Sequence, residues 1–324
     1  MAAALLAPVA ELYAAVVKLR FAVARPVRVP VPVVCVGNPG LGGAGKTPTA
    51  IAIARRLAAR GHAPWFLSRG YGGRLAGPLR VDIARHAARD VGDEPLLLAA
   101  SAPTVVARDR VAGARSAAAE GAGVIVMDDG YQNPSLAKDC AVLVVDGAAG
   151  IGNGRVFPAG PLRERLRPQL ARARLLVIVG EGAAGDRMAV MAGNAGITVL
   201  RAALRPTGQA PPLAGRSVIA FCGIARPEKF FAGLEAAGAR IAATLTFADH
   251  HPFAAGDTAR ILELARRHED AMVLTTEKDR VRLDDANDPG AKLRSVARAL
   301  PVEMVFEQPA ALDALLEASL GPKV

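Results

Sequence analysis

The chain has 324 residues, 52% of them hydrophobic, enough to bury one large core or two moderate ones and to exclude a disordered or fibrous protein. Its 40 Lys and Arg exceed 30 Asp and Glu by ten charges, which favours acidic partners such as nucleotides, phosphorylated substrates, nucleic acid or anionic lipid. Aromatics make up only 4% and interleave with no basic stretch, making nucleic acid a minor alternative, while Cys35, Cys140 and Cys222 sit singly in apolar runs that suggest a reducing setting rather than disulfides or a metal site.

Residues 1–25 are apolar but broken by Glu11, Lys18 and Arg20, too interrupted for a span of about 20 apolar residues. Leu6, Val9, Leu12, Tyr13, Val16, Val17, Leu19 and Val23 share a broad helical face, with Lys18, Arg20, Arg25 and Arg28 toward its end. That pattern suits a helix lying in the headgroup region of an anionic leaflet. The alternative is an ordinary amphipathic helix packed on the domain.

From residue 31 short apolar runs alternate with helical stretches. VPVVCVG (31–37), APWFLSRG (63–70), VIVMDD (124–129), AVLVVD (141–146) and LLVIVG (175–180) read as buried strands, and TAIAIARRLAARG as a helix ending at Gly61. Continuous apolar strands between helices indicate an α/β protein with a mostly parallel sheet covered on both faces. RAALRPTGQAPPLAGRS (201–217) is rich in Pro, Gly and polar residues, which places a domain junction there. The expected organisation is an N-terminal membrane-associated helix over 1–28, a nucleotide-binding core over 29–207 and a smaller α/β unit over 208–324. That last unit takes in SVIAFCGIA, a helix from near Pro227, RIAATLTF, a helix over 255–267, AMVLTT and VEMVF.

Gly40, Leu41, Gly42, Gly43, Ala44, Gly45, Lys46, Thr47 and Pro48 fit the Walker A pattern G-x-x-x-x-G-K-T between a predicted strand and a predicted helix. Glycines let backbone N–H groups wrap phosphates, Lys46 reaches the β and γ oxygens, and the Thr47 hydroxyl is a magnesium ligand. Pro48 is tolerated because first-turn N–H groups need no helical acceptor. A guanine-reading Asn-Lys-x-Asp sequence does not occur, so ATP is preferred to GTP. Asp128 and Asp129 end an apolar run where a Walker B acid belongs; Asp128 is the better match for holding magnesium, with Asp129 and Gln132 orienting the ion or its water.

VGNPGLGGAGKTP (36–48), SRGYGG (68–73), GDEP (92–95), DDGYQ (128–132), GNGRVFPAGPLRE (152–164), ADHHPF (248–253) and TTEKD (275–279) together closely resemble the tetraacyldisaccharide 4'-kinase, or lipid A 4'-kinase, family, through nearly the whole chain. The resemblance implies a P-loop kinase core with a smaller C-terminal α/β domain. It also implies transfer of the ATP γ-phosphoryl group, with magnesium, to the 4'-hydroxyl of a tetraacylated glucosamine disaccharide 1-phosphate at the cytoplasmic face of the inner membrane. Partners on this reading are the acylated disaccharide phosphate and the anionic membrane surface, with no obligate protein partner.

In that family the Asp of GDEP is thought to activate the sugar hydroxyl, supported by a His of the C-terminal domain; the matching residues are Asp93 and His250. A carboxylate can accept the hydroxyl proton while an imidazole tunes its charge and position. Arg163, in the Leu-Arg-Glu sequence, is expected to neutralise phosphate charge, and Glu277 and Lys278 have a binding or structural role. Gly40 and Ala44 stand where relatives often carry hydroxyl residues, Asn133 replaces a frequent His, and His251 adds a second imidazole beside His250. Competing readings are a nucleotide-dependent switch or metallochaperone on the same kind of loop, and a kinase for a soluble metabolite.

Overall fold

The computed structural model describes residues 2–283 and 288–321. Among them the strands, in chain order, are β1 (Val33–Gly37), β2 (Pro64–Ser68), β3 (Leu79–Arg80), β4 (Thr104–Val106), β5 (Val124–Asp128), β6 (Cys140–Asp146), β7 (Leu175–Val179), β8 (Thr198–Pro206), β9 (Ser217–Cys222), β10 (Arg240–Thr246), β11 (Met272–Thr276), β12 (Arg298–Leu300) and β13 (Val302–Phe306). Nine form one sheet in the order β13-β8-β7-β6-β1-β5-β2-β4-β3, and four form a second, β10-β9-β11-β12. The large sheet is parallel except where β13 meets β8 and β3 meets β4.

Strands β1, β5, β6 and β7 are buried along their whole length. Their unbroken Val, Ile and Leu runs have no polar face to offer water, so helices must cover both sides. On one side the helix Lys46–Ala59 contributes Ile53 and Leu57, and the helix Pro309–Leu320 contributes Leu312 and Leu316. On the other, Ala114, Leu170 and Met188 come from three further helices. The chain builds outward from β1 on one side and then crosses to β6, which puts the C-terminal ends of β1 and β5 at the topological switch point where α/β sheets bind ligands. The smaller sheet is parallel and likewise covered, by Phe230 and Leu234 on one face and by Ile261, Leu262 and Leu293 on the other.

Two expectations are corrected. VEMVF was expected in the smaller unit, but β13 pairs antiparallel with β8, Val302 opposite Pro206 and Phe306 opposite Ala202, so the chain returns to the large sheet. RAALRP, expected as part of a junction, belongs to β8. β13 is the edge strand and β8 the next one in, and both mix exposed with covered positions, a weaker signal than a continuous apolar run.

The N-terminal segment forms helices Ala2–Leu5 and Ala7–Val23. Ala10, Ala14 and Val17 are its buried residues, and Ala14 packs with Val156 and Leu162. Glu11 pairs with Arg165, and the Arg172 guanidinium lies 4.0 Å from the Phe21 ring centroid. The larger apolar residues point away from the protein, with Leu12 68% and Val23 69% exposed. This is the reverse of an amphipathic helix packed by its apolar face. Among the described residues no helix is long and apolar enough to cross a membrane.

Candidate active site

The glycine loop leaves β1 and delivers Lys46 and Thr47 into the first turn of the following helix. Gly37 closes β1 because a Cβ there would lie 2.5 Å from Tyr131 Cβ, so the strand end and the DDGYQ loop can stack only with glycine. Gly45 caps the helix in the left-handed region at φ 87°. Lys46 Nζ donates to Asn38 Oδ1 at 3.2 Å and lies 3.4 Å from Asp129. Thr47 donates to Asp128 Oδ2 at 2.8 Å.

The two acids at the end of β5 have different surroundings. Asp128 is fully buried; burial, with the charges of Glu94 and Asp129, pushes its carboxyl up to about 7 against the pull of Lys46 and the Thr47 hydroxyl. For Asp129 burial acts in the same direction, but Lys46 and Arg163 outweigh it and hold the carboxyl below its ordinary value. Arg163 donates to Asp129 Oδ2 from both terminal nitrogens at 3.2 Å and to the Gly40 carbonyl at 3.3 Å.

Asp128 Oδ1 and Gln132 Oε1 are buried and accept no hydrogen bond among the described residues. Gln132 Nε2 is anchored on the Asn38 carbonyl at 3.2 Å, which fixes the amide. These unpaired acceptors beside the Thr47 hydroxyl are an all-oxygen set, the donor type a hard cation such as magnesium takes alongside phosphate oxygens. The residues present therefore fit magnesium, with Asp128 and Thr47 as ligands and Gln132 beside them; Asp129 is already engaged by Lys46 and Arg163.

A second cluster faces the same space. Asp93 opens the helix Asp93–Ala99 after Gly92, whose φ is 91° and whose Cβ position is 2.4 Å from the Tyr71 carbonyl. Only glycine lets the GDEP and SRGYGG loops approach so closely. Asp93, 4% exposed, meets His250 Nδ1 at 3.0 Å and Arg282 Nε at 3.2 Å. Burial works to raise the Asp93 carboxyl, but the His250 hydrogen bond and the charges of Lys278, His250 and Arg282 outweigh it and hold it below the carboxylate range. Lys278 Nζ lies 3.1 Å from His250 Nε2 and 3.3 Å from Glu94. The neighbouring His251 turns away, stacking on Phe247 and bonding Asp257 at 2.9 Å.

Residues of both clusters line one cavity of about 1520 Å³, among them Lys46, Thr47, Asp128, Arg163, His250 and Lys278. Tyr13 and Arg20 of the N-terminal helix reach its wall. Arg282, not singled out in the sequence, contacts Asp93 directly from the turn that follows the helix Glu277–Arg280, and no local pattern marks it.

A strand, glycine loop and helix carrying Lys-Thr, with an acid at the neighbouring strand end and a His–Asp pair beside the same cavity, define a P-loop phosphotransferase. The sequence profile of the family described as Tetraacyldisaccharide-1-P 4'-kinase matches residues 2–321, and the chain belongs to that family. It is 55% identical to the tetraacyldisaccharide 4'-kinase of Methylobacterium nodulans over 99% of this chain and 93% of that one. With the Rhodospirillum centenum enzyme of the same name it shares 52% over 99% and 92%. The crystal structure of LpxK from Aquifex aeolicus in complex with ATP superposes with a TM-score of 0.76 at 25% identity, covering 99% of this chain and all of that one.

Proposed function

We propose that the chain transfers the γ-phosphoryl group of ATP to the 4'-hydroxyl of a tetraacylated glucosamine disaccharide 1-phosphate, a step of lipid A biosynthesis. The observation that carries this reading is the contact of buried Asp93 with His250, which itself lines the cavity together with Lys46, Thr47 and Asp128. Loop N–H groups and Lys46 hold the β and γ phosphates, and Arg163, fixed by Asp129, neutralises charge on the transferred group. Asp128 and Thr47 would hold magnesium, which would supply positive charge beside the phosphates. Asp93 accepts the sugar proton as the new O–P bond forms, and His250 positions it. In a loose transfer the orientation of the hydroxyl matters more than base strength, which accords with a carboxylate held below its ordinary pKa.

On this reading the reaction takes place at the cytoplasmic face of the inner membrane, with the helix Ala7–Val23 lying on the surface. Exposed Leu12, Val16, Leu19 and Val23 offer apolar area to the acyl boundary, and exposed Arg25 offers charge to anionic headgroups. Because Tyr13 and Arg20 border the cavity, a lipid entering from that surface need not leave it to react.

The test is transfer of labelled γ-phosphate from ATP to the tetraacyldisaccharide 1-phosphate in detergent micelles. Labelled lipid that depends on magnesium and on Asp93 is the expected product. Intact ATP binding without a lipid product would overturn the acceptor and favour a soluble-metabolite kinase.

A further inference from the structure

Lys278 belongs to the TTEKD sequence and sits in a one-turn helix, Glu277–Arg280, at the end of β11. An ammonium has three donors and no acceptor. A ring nitrogen 3.1 Å from it must therefore present its lone pair, so His250 Nε2 carries no proton and the ring proton sits on Nδ1, facing Asp93 Oδ2 at 3.0 Å. The opposite tautomer would set an N–H against an ammonium and leave Asp93 facing a lone pair.

Resting on the reading of Asp93 as base, we infer that Lys278 is a positioning residue for phosphoryl transfer, fixing the tautomer of His250 so that its Nδ1–H holds the Asp93 carboxylate toward the sugar hydroxyl. The groups around the imidazole agree with this. Glu94 faces it from the helix Asp93–Ala99 and holds Lys278 at 3.3 Å; Asp249, on the loop of His250 itself, is 3.7 Å from Lys278 and 3.9 Å from Nε2, too far to accept from the ring. Arg282 reaches Asp93 from the turn after Lys278, and the Tyr71 ring meets the imidazole edge-on at 5.3 Å. Burial works against the Lys278 ammonium, but Glu94, Asp93 and Asp249 outweigh both burial and Arg282 and raise its pKa, so it stays a donor across the working pH range. His250 also has φ 57°, a left-handed backbone held by its N–H to the Gly223 carbonyl at 3.2 Å, which limits the ring's freedom to find another partner.

The experiment is ¹⁵N NMR of the histidine-labelled protein with matched kinetics. With five histidines in the chain, the His250 ring signals are assigned by their loss in His250→Gln. Wild type at neutral pH is expected to show the Nδ1–H tautomer. Lys278→Met, in which Asp93 still takes the Nδ1–H, should show a ring protonated on Nε2 as well and lose about tenfold to a hundredfold in kcat, less than a general base contributes, with KM for ATP nearly unchanged. Lys278→Arg, still a donor without acceptors, should restore the tautomer and much of kcat.

A wild-type ring protonated on Nε2 overturns the inference, and needs no variant to fold. So does Lys278→Met that keeps the wild-type tautomer, or that gains the Nε2 proton without losing kcat. Full turnover in Asp93→Asn would instead overturn the base assignment and leave the tautomer result standing.

Discussion

The glycine-loop site and the Asp93–His250 cluster border one cavity but are built in opposite ways. Lys46, Thr47 and their loop come from ten consecutive residues and meet Asp128 across adjacent strands of one sheet, where Val36 pairs with Asp128. Asp93 and Glu94 come from the large unit, whereas His250, Lys278 and Arg282 come from the small one, 157 residues away in the case of His250. One site is prefabricated by local geometry, and the other exists only while two units are docked. Nucleotide binding and phosphoryl transfer should therefore be separable.

The largest separation is expected for Asp93→Asn. Turnover should fall about 10²–10⁴-fold while the Kd for ATP moves less than about twofold, read by single-turnover kinetics beside calorimetry. A parallel loss of ATP affinity would merge the two sites into one. Lys46→Met should do the converse and weaken ATP binding itself by about tenfold to a hundredfold, since it removes a charge-assisted bond to phosphate.

Asp128 sharpens the comparison through pH. Its carboxyl is raised to about 7, so the folded protein without metal binds a proton there more tightly than the unfolded chain does. Ionising it costs stability as pH climbs from the ordinary carboxylate range to about 7, and nothing further above that. Magnesium requires the ionised form, so its affinity should rise by about tenfold per pH unit below 7 and level off above, with proton release measurable by calorimetry in two buffers. Asp93 has the opposite sign. Held below its ordinary value, it contributes stability that is complete above the unfolded pKa and lost as pH falls below it, so the docked pair should not respond to Asp93 titration between pH 5 and 8.

The smallest effect on folding, with a large one on location, is expected for Leu12→Glu combined with Leu19→Glu. Both side chains are exposed, so Tm should move by no more than about 1 °C, whereas cosedimentation with anionic liposomes should be lost. Unchanged sedimentation would remove the helix from the membrane reading.

The cradle was legible in the sequence because its chemistry and its fold share one short pattern: a strand, a glycine loop, Lys-Thr and a helix leave few other readings. The buried strands were equally plain, since Val33–Gly37 and Leu175–Val179 are apolar on both faces. The edge strand Val302–Phe306 was misassigned because its pattern says that one face is covered without saying by which sheet. Asp93 and His250 were reached only through family resemblance; neither has a local signal, and their contact depends on docking that no spacing encodes. Arg282 and the grip of Lys278 on His250 were visible only after folding.

The pairing of Val302 with Pro206 has a consequence for how such an enzyme can be taken apart. The chain leaves the large sheet at one strand and re-enters it at the neighbouring antiparallel strand, with Thr207 donating to the Pro301 carbonyl at 3.0 Å where the two crossings touch. Topologically the small unit is a guest carried on a hairpin. Replacing it with a short turn would leave every strand of the large sheet its partner, and would leave a protein that grips a nucleotide with no second hand to offer it a substrate.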